Sequence, residues 1–141
     1  MKNYLIISLL LLSVGFSQKI LNKKVMIEEK LPNSDKIIVY PPDSDNPYSG
    51  VVYWYSGVAQ LNHQTYKNGL KNGPYKEWYS IDKEKILRLV GNYKNGEKDG
   101  LWTYYSENEK WKEGNFMEGK EDGLWIYYTK GLKWKEETYI D

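Results

Sequence analysis

Polar and apolar residues alternate along residues 91–128 in a phrase that occurs twice. Gly-Asn-Tyr-Lys-Asn-Gly-Glu-Lys-Asp-Gly-Leu-Trp-Thr-Tyr-Tyr (91–105) returns as Gly-Asn-Phe-Met-Glu-Gly-Lys-Glu-Asp-Gly-Leu-Trp-Ile-Tyr-Tyr (114–128), a shift of 23 residues. Short alternating runs predict strands, and the glycines between them predict turns. A repeat of this length is a supersecondary unit that cannot bury its apolar face alone and must stack on its neighbours. Gly50, Gly73, Gly100 and Gly123 keep the beat at spacings of 23, 27 and 23, the four extra residues falling within 80–90. Two residues after each glycine stand Val52, Tyr75, Trp102 and Trp125; five after it stand Tyr55, Trp78, Tyr105 and Tyr128. Tyr66, Tyr93 and Phe116 precede the later glycines by seven, and Tyr139 continues the 23-residue step. About four repeats are expected over 48–141.

Each unit carries two strand-like runs. Residues 101–105 lead to a turn near Asn108-Glu109 and then to 110–116. In the next unit the turn is Lys130-Gly131, where glycine accepts the positive φ of a tight hairpin. Asn-Gly-x-x-x-Gly at 95–100 and Asn-Gly-Leu-Lys-Asn-Gly at 68–73 link one hairpin to the next. Gly50, Gly69, Gly73, Gly96, Gly100, Gly119 and Gly123 are read as the residues that let the chain reverse. With these turns, alternation places Trp111 on the side of Trp102 and Tyr104, and Trp134 beside Trp125 and Tyr127. Leu101, Tyr105 and Phe116, then Leu124, Ile126 and Tyr128, face the other way. A lone hairpin is marginal in water. The expected fold is therefore all-β: an elongated, twisted, single-layer antiparallel sheet of stacked hairpins. Residues 81–90 read as a longer hairpin tip with an apolar return strand. The last strand carries Lys133, Lys135, Glu136 and Glu137, which discourage edge-to-edge aggregation.

Residues 18–47 form a lead-in. Val25-Met26-Ile27 and Ile37-Ile38-Val39-Tyr40 read as short strands, the second stopped by Pro41-Pro42, and 43–47 as a turn-rich connector. The segment 36–40 is expected to cap the first repeat. Residues 1–17 read as a secretory signal peptide: Lys2, an apolar run over 4–12, and Gly15-Phe16-Ser17 before a cut at Gln18. As a retained anchor the run is short, since a span needs about 20 residues. No cysteine follows, so no lipoprotein anchor forms. The chain is expected to be exported, periplasmic or secreted.

Composition narrows the function. The 14 Tyr and 6 Trp, against 2 Phe, suit a thin structure, because they bury a flat body and keep a polar edge wet. A formal charge of +1 argues against nucleic acid, which requires a basic excess. The absence of cysteine excludes disulfides, a thiolate zinc site and a cysteine nucleophile. His63 is the single histidine, and no nucleophile-elbow phrase supports a triad around it. Glu97, Asp99, Glu118, Glu121 and Asp122 sit beside lysines between hairpins and read as a solvated charged face. A glycosidase pair or a calcium loop is the less natural reading. No enzyme, metal or cofactor is expected.

The phrase Tyr-Lys-Asn-Gly-x-x-x-Gly-x-Trp-x-x-Tyr (93–105, with substitutions at 66–78 and 116–128) resembles the MORN repeat. It is most similar to the variant repeat of bacterial proteins often labelled as antitoxins. Pro47-Tyr48-Ser49-Gly50-Val51 looks like the Pro-aromatic-Ser/Thr-Gly opening of that branch. The resemblance covers about 48–141; Glu109 in place of a turn glycine and Pro74-Tyr75 in place of Leu-Trp depart from it. It implies stacked hairpins, no catalytic residues, and association with protein scaffolding or lipid. The expected function is protein–protein interaction, antitoxin- or immunity-like in one form, through a stripe of Trp102, Tyr104, Trp111, Trp125, Tyr127 and Trp134. A signal peptide argues against a cytosolic toxin as its target. The alternatives are binding of membrane lipid or cell-wall glycan, since exposed rings stack on sugars, and a stripe that serves only to pack the repeats.

Overall fold

The computed structural model describes residues 20–22, 26–56, 60–81 and 84–140. The expected signal peptide lies outside them, as does Val25 of the first lead-in strand. The described residues are all-β, with no helix. The strands are β1 (Ile20–Asn22), β2 (Ile27–Lys30), β3 (Ile37–Tyr40), β4 (Gly50–Ser56), β5 (Gln60–Lys67) and β6 (Leu70–Ile81). They continue with β7 (Glu84–Lys94), β8 (Glu97–Ser106), β9 (Glu109–Met117), β10 (Lys120–Thr129) and β11 (Leu132–Tyr139). Nine of them form one sheet in the order β1-β4-β5-β6-β7-β8-β9-β10-β11, and β2 pairs with β3 in a separate hairpin. Every sheet neighbour from β4 onward is antiparallel; β1 joins β4 in parallel.

Among the described residues five two-residue turns join the strands of this meander: Asn68-Gly69, Asn95-Gly96, Glu107-Asn108, Glu118-Gly119 and Lys130-Gly131. All ten residues have positive φ, the conformation that matches strand twist in a tight hairpin. Two expectations are corrected here. The turn placed near Asn108-Glu109 is Glu107-Asn108, and Glu109 opens β9. The Asn-Gly-x-x-x-Gly segment is no linker between separate hairpins: its Asn-Gly is itself a tight turn, and its last glycine lies within the next strand, as Gly73 does in β6, Gly100 in β8 and Gly123 in β10; Gly50, also read as a reversing residue, opens β4.

A third correction concerns the faces. Phe116 lies with the tryptophans, its ring 5.9 Å from Trp102 and 5.2 Å from Trp125. The cause is a bulge. Tyr104 pairs with Lys112 but Tyr105 with Lys110, leaving Trp111 as the extra residue. One extra residue reverses the inward/outward sense of everything beyond it. Lys112, Gly114 and Phe116 thus turn to the face that unbroken alternation assigns to Trp111, Glu113 and Asn115.

On that face Tyr75, Trp102, Phe116 and Trp125 form a buried row flanked by Trp54, Tyr93, Tyr104, Tyr127 and Tyr139. Trp102 and Trp125 are fully buried because the strand before each offers a glycine to lie on. A Cβ on Gly91 would stand 2.2 Å from Trp102 Cδ2, and one on Gly114 would stand 2.1 Å from Trp125 Cδ2. Lysines roof the rings: Lys98 Nζ is 4.4 Å above Trp102 and Lys112 Nζ 4.2 Å above Trp125. Twenty-seven residues before Gly91 stands Gln64, and the residue facing it is Tyr75 rather than Trp.

The turns are tied to one another. The Gly69 N–H donates to Tyr48 O (2.7 Å), Gly96 N–H to Lys71 O (2.8 Å) and Gly119 N–H to Lys98 O (3.0 Å). The lead-in lies against the first of them. Val39 N–H donates to Gly69 O at 2.9 Å, and Val39, Tyr48, Val52 and Tyr66 share a second small core.

Burial of the aromatic rows predicts alkaline sensitivity. Burial pushes Tyr48 up to about 12 from an ordinary 10.0. Burial, then the neighbouring Tyr104 and Glu77, does the same to Tyr93. Tyr66 and Tyr75 are also raised, chiefly by burial. Below pH 10 these groups are neutral whether folded or not. Between about 10 and 12 the unfolded chain releases protons that the folded chain retains, so stability falls as pH rises. Alkaline titration followed by tyrosinate absorbance and far-UV circular dichroism is expected to show both signals changing together in that window. A titration complete near pH 10 with the sheet intact would contradict the burial.

Candidate functional site

The six stripe aromatics divide by exposure. Trp102 and Trp125 are buried, and Tyr104 and Tyr127 are half-buried. Trp111 is 43% exposed and Trp134 is 62% exposed. The two exposed residues occupy the same kind of position. Trp134, like Trp111, is the extra residue of a bulge, since Tyr127 pairs with Lys135 and Tyr128 with Lys133. Each leans on the tyrosine of the preceding strand: Trp111 lies 5.9 Å from Tyr104 and Trp134 lies 6.3 Å from Tyr127.

A third bulge, between β6 and β7, holds a residue that sequence reasoning missed. Glu77 pairs with Leu89 and Trp78 with Leu87, leaving Arg88 as the extra residue. Its guanidinium lies 4.8 Å above Tyr79 and 2.6 Å from the carboxylate of buried Glu77. Glu77 Oε2 in turn lies 2.8 Å from the Tyr75 hydroxyl, which is 3.0 Å from Asn62 Oδ1. The signal was present in the spacing: the four extra residues fall before Arg88, so a 23-residue step back from Trp111 lands on it. The result is a row of Arg88, Trp111 and Trp134.

Beside Trp111 the sheet opens into a cleft of about 330 Å³, lined by Ser106, Glu107, Glu109, Lys110, Tyr128, Thr129 and Lys130 as well as by the indole. Its floor is ordered. Lys110 Nζ lies 2.8 Å from Glu113 Oε1, the Tyr128 hydroxyl donates to the same oxygen at 2.5 Å, and the ammonium sits 4.3 Å above the Tyr128 ring. Burial works against the Glu113 carboxylate, but bonds from Lys110 and Tyr128 hold its pKa below the usual range.

The other chemical candidates do not converge. His63 is half-buried against Tyr53, ring centroids 4.9 Å apart, and burial followed by Lys76 lowers its pKa. Glu97 pairs with Lys36 and Glu121 with Lys112. Among the described residues no group of three or more His, Cys, Asp or Glu is placed to hold a metal ion.

Fold and site together define an all-β sheet of antiparallel hairpins with a row of side chains displayed at its bulges. Comparison with protein-family models, with curated proteins and with solved structures returns no match.

Proposed function

We propose that this chain is an exported, non-enzymatic repeat protein of the MORN-variant type that binds a protein partner through Arg88, Trp111 and Trp134. An antitoxin- or immunity-like role is one form such binding takes. The observation that carries the reading is the content of the three bulges of one extra residue; the sheet's other register shifts, at 64–66, 90–92 and 122–126, span more residues. A bulge re-aims a side chain out of the regular pleat. Here the re-aimed residues are Arg, Trp and Trp, the types that with Tyr dominate protein–protein hot spots. Trp102 and Trp125 act one level down, as the buried support on which the row stands.

The test is capture of partners from the periplasmic or secreted fraction, compared with Trp111→Ala/Trp134→Ala. Both rings are substantially exposed, so the double variant is expected to keep its fold and lose about 1 kcal/mol or less of stability. Affinity for any captured protein is expected to fall at least about tenfold. A folded double variant that retains every partner would remove the row from the interface.

A further inference from the structure

We infer that the cleft between the 107–108 turn and the end of β10 is a binding site for a neutral saccharide, with the Trp111 indole as its platform. The inference goes beyond the protein-binding row: it shares the exposed Trp111 with that row and adds the cleft beside it.

The first observation is the chemistry of the lining. A sugar presents an apolar C–H face and a rim of hydroxyls, so its site needs a flat ring beside groups that both donate and accept hydrogen bonds. The cleft has the exposed indole and, around it, the hydroxyls of Ser106 and Thr129, the carboxylates of Glu107 and Glu109, and the ammonium of Lys130. Among the described residues none of these five side chains makes a hydrogen bond or ion pair. Lys110 and Tyr128, by contrast, are committed to Glu113 and form a fixed floor. With the Glu113 carboxylate of the floor, three carboxylates stand against two ammoniums in and under the cleft. That excess disfavours an anion, and the exposed indole with hydroxyls on either side suits a neutral sugar. A cleft of about 330 Å³ stands at the small end of ligand sites, which fits one or two sugar rings.

The second observation is the turn itself. Of the five tight turns, Glu107-Asn108 is the one without glycine, and both residues hold positive φ, 51° and 66°. A non-glycine residue there is strained by about 1 kcal/mol or more. Asn108 is accounted for, because its side-chain oxygen accepts the Leu87 N–H at 3.2 Å and ties the tip to β7. Glu107 holds the first turn position at the φ of about 50° that Asn68, Asn95, Glu118 and Lys130 hold in the other turns, so what sets it apart is where its side chain lies. Its backbone favours glycine, its side chain touches no partner, and it lines the cleft. Its place on the rim of the cleft, one turn position from the indole's strand, puts its carboxylate within the set that a bound sugar would meet.

The experiment is titration of the intact chain with chitotriose and maltotriose, and with trigalacturonate as a charged control, following the Trp indole N–H resonances. A neutral trisaccharide is expected to shift the Trp111 resonance with an affinity in the millimolar range. Trp111→Ala is expected to abolish binding, and Trp134→Ala to leave it unchanged while weakening partner capture. Glu107→Gly is the decisive variant: it is expected to raise the melting temperature, because glycine accepts the turn's φ, and to weaken saccharide binding about fivefold or more. A structural role for Glu107 would move both quantities the same way. The proposal is overturned if no trisaccharide shifts the Trp111 resonance, if the charged control binds best, or if Glu107→Gly binds as the parent does.

Discussion

Gly114→Ala is expected to destabilise the sheet by about 3 kcal/mol, at the upper end for adding one methyl to a filled core. The added carbon would stand 2.1 Å from Trp125 Cδ2 and inside the contact distance of two further indole atoms. The obstructing group is a buried ring between Phe116 and Tyr139, not the end of a flexible chain. Trp125 would have to leave a fully buried seat. Gly123→Ala, nine residues away, is the control. It has open space around its Cβ but a φ of 65°, so it is expected to cost about 1 kcal/mol through backbone strain alone. The chain offers its own remedy, since Gln64 faces Tyr75 where the later units set glycine under tryptophan. The double variant Gly114→Gln/Trp125→Tyr is accordingly expected to be more stable than the sum of its single changes predicts, because the two positions share one volume. Urea unfolding of the parent, Gly114→Gln, Trp125→Tyr and the double variant checks this; additive losses would mean that glycine and indole are not coupled.

The second large effect concerns Arg88 and Glu77. Arg88→Ala is expected to cost about 2–3 kcal/mol, and Glu77→Gln about 1 kcal/mol. The asymmetry follows from burial. The Glu77 side chain is 8% exposed and that of Arg88 is 44% exposed. Removing the arginine strands a carboxylate whose remaining partner is the Tyr75 hydroxyl, whereas removing the negative charge leaves a guanidinium that turns to water. Chemical denaturation of the two variants decides the matter; equal or reversed costs would show that the pair is solvated and contributes little.

The hairpins and the turns at Gly69, Gly96, Gly119 and Gly131 were legible in the sequence because they depend on local rules: period-two alternation, and residues that accept positive φ. The faces beyond Tyr104 were legible only in part. A bulge adds one residue to one strand, and nothing in a string of Lys-Trp-Lys says which of the three is extra. That single uncertainty sent Phe116 to the wrong side and hid the kinship of Arg88 with Trp111. The part played by Gly91 and Gly114 was hidden for another reason. Both stand in the repeated phrase, but they are kept for room and not for φ, and room is a property of the strand opposite. The exposed indoles of the site could be named from the sequence; their separation from the buried ones required knowing which strand supplies the seat. The cleft beside Trp111 draws on residues around the 107–108 and 130–131 turns, with another turn between them in the chain, and a reading made one strand at a time does not assemble it.

The ties between successive turns have a mechanical consequence. Each strand from β5 to β10 touches its two neighbours in the sheet, while β3 fastens the turn at Gly69 from outside. Among the described residues β11 has one neighbour, so a ribbon clasped at Gly69 loses order like a zip, from β11 inward, and the strength of any stretch depends on how many rungs still stand beyond it. The Trp134 end therefore yields to a pulling or prising partner long before the clasped end does.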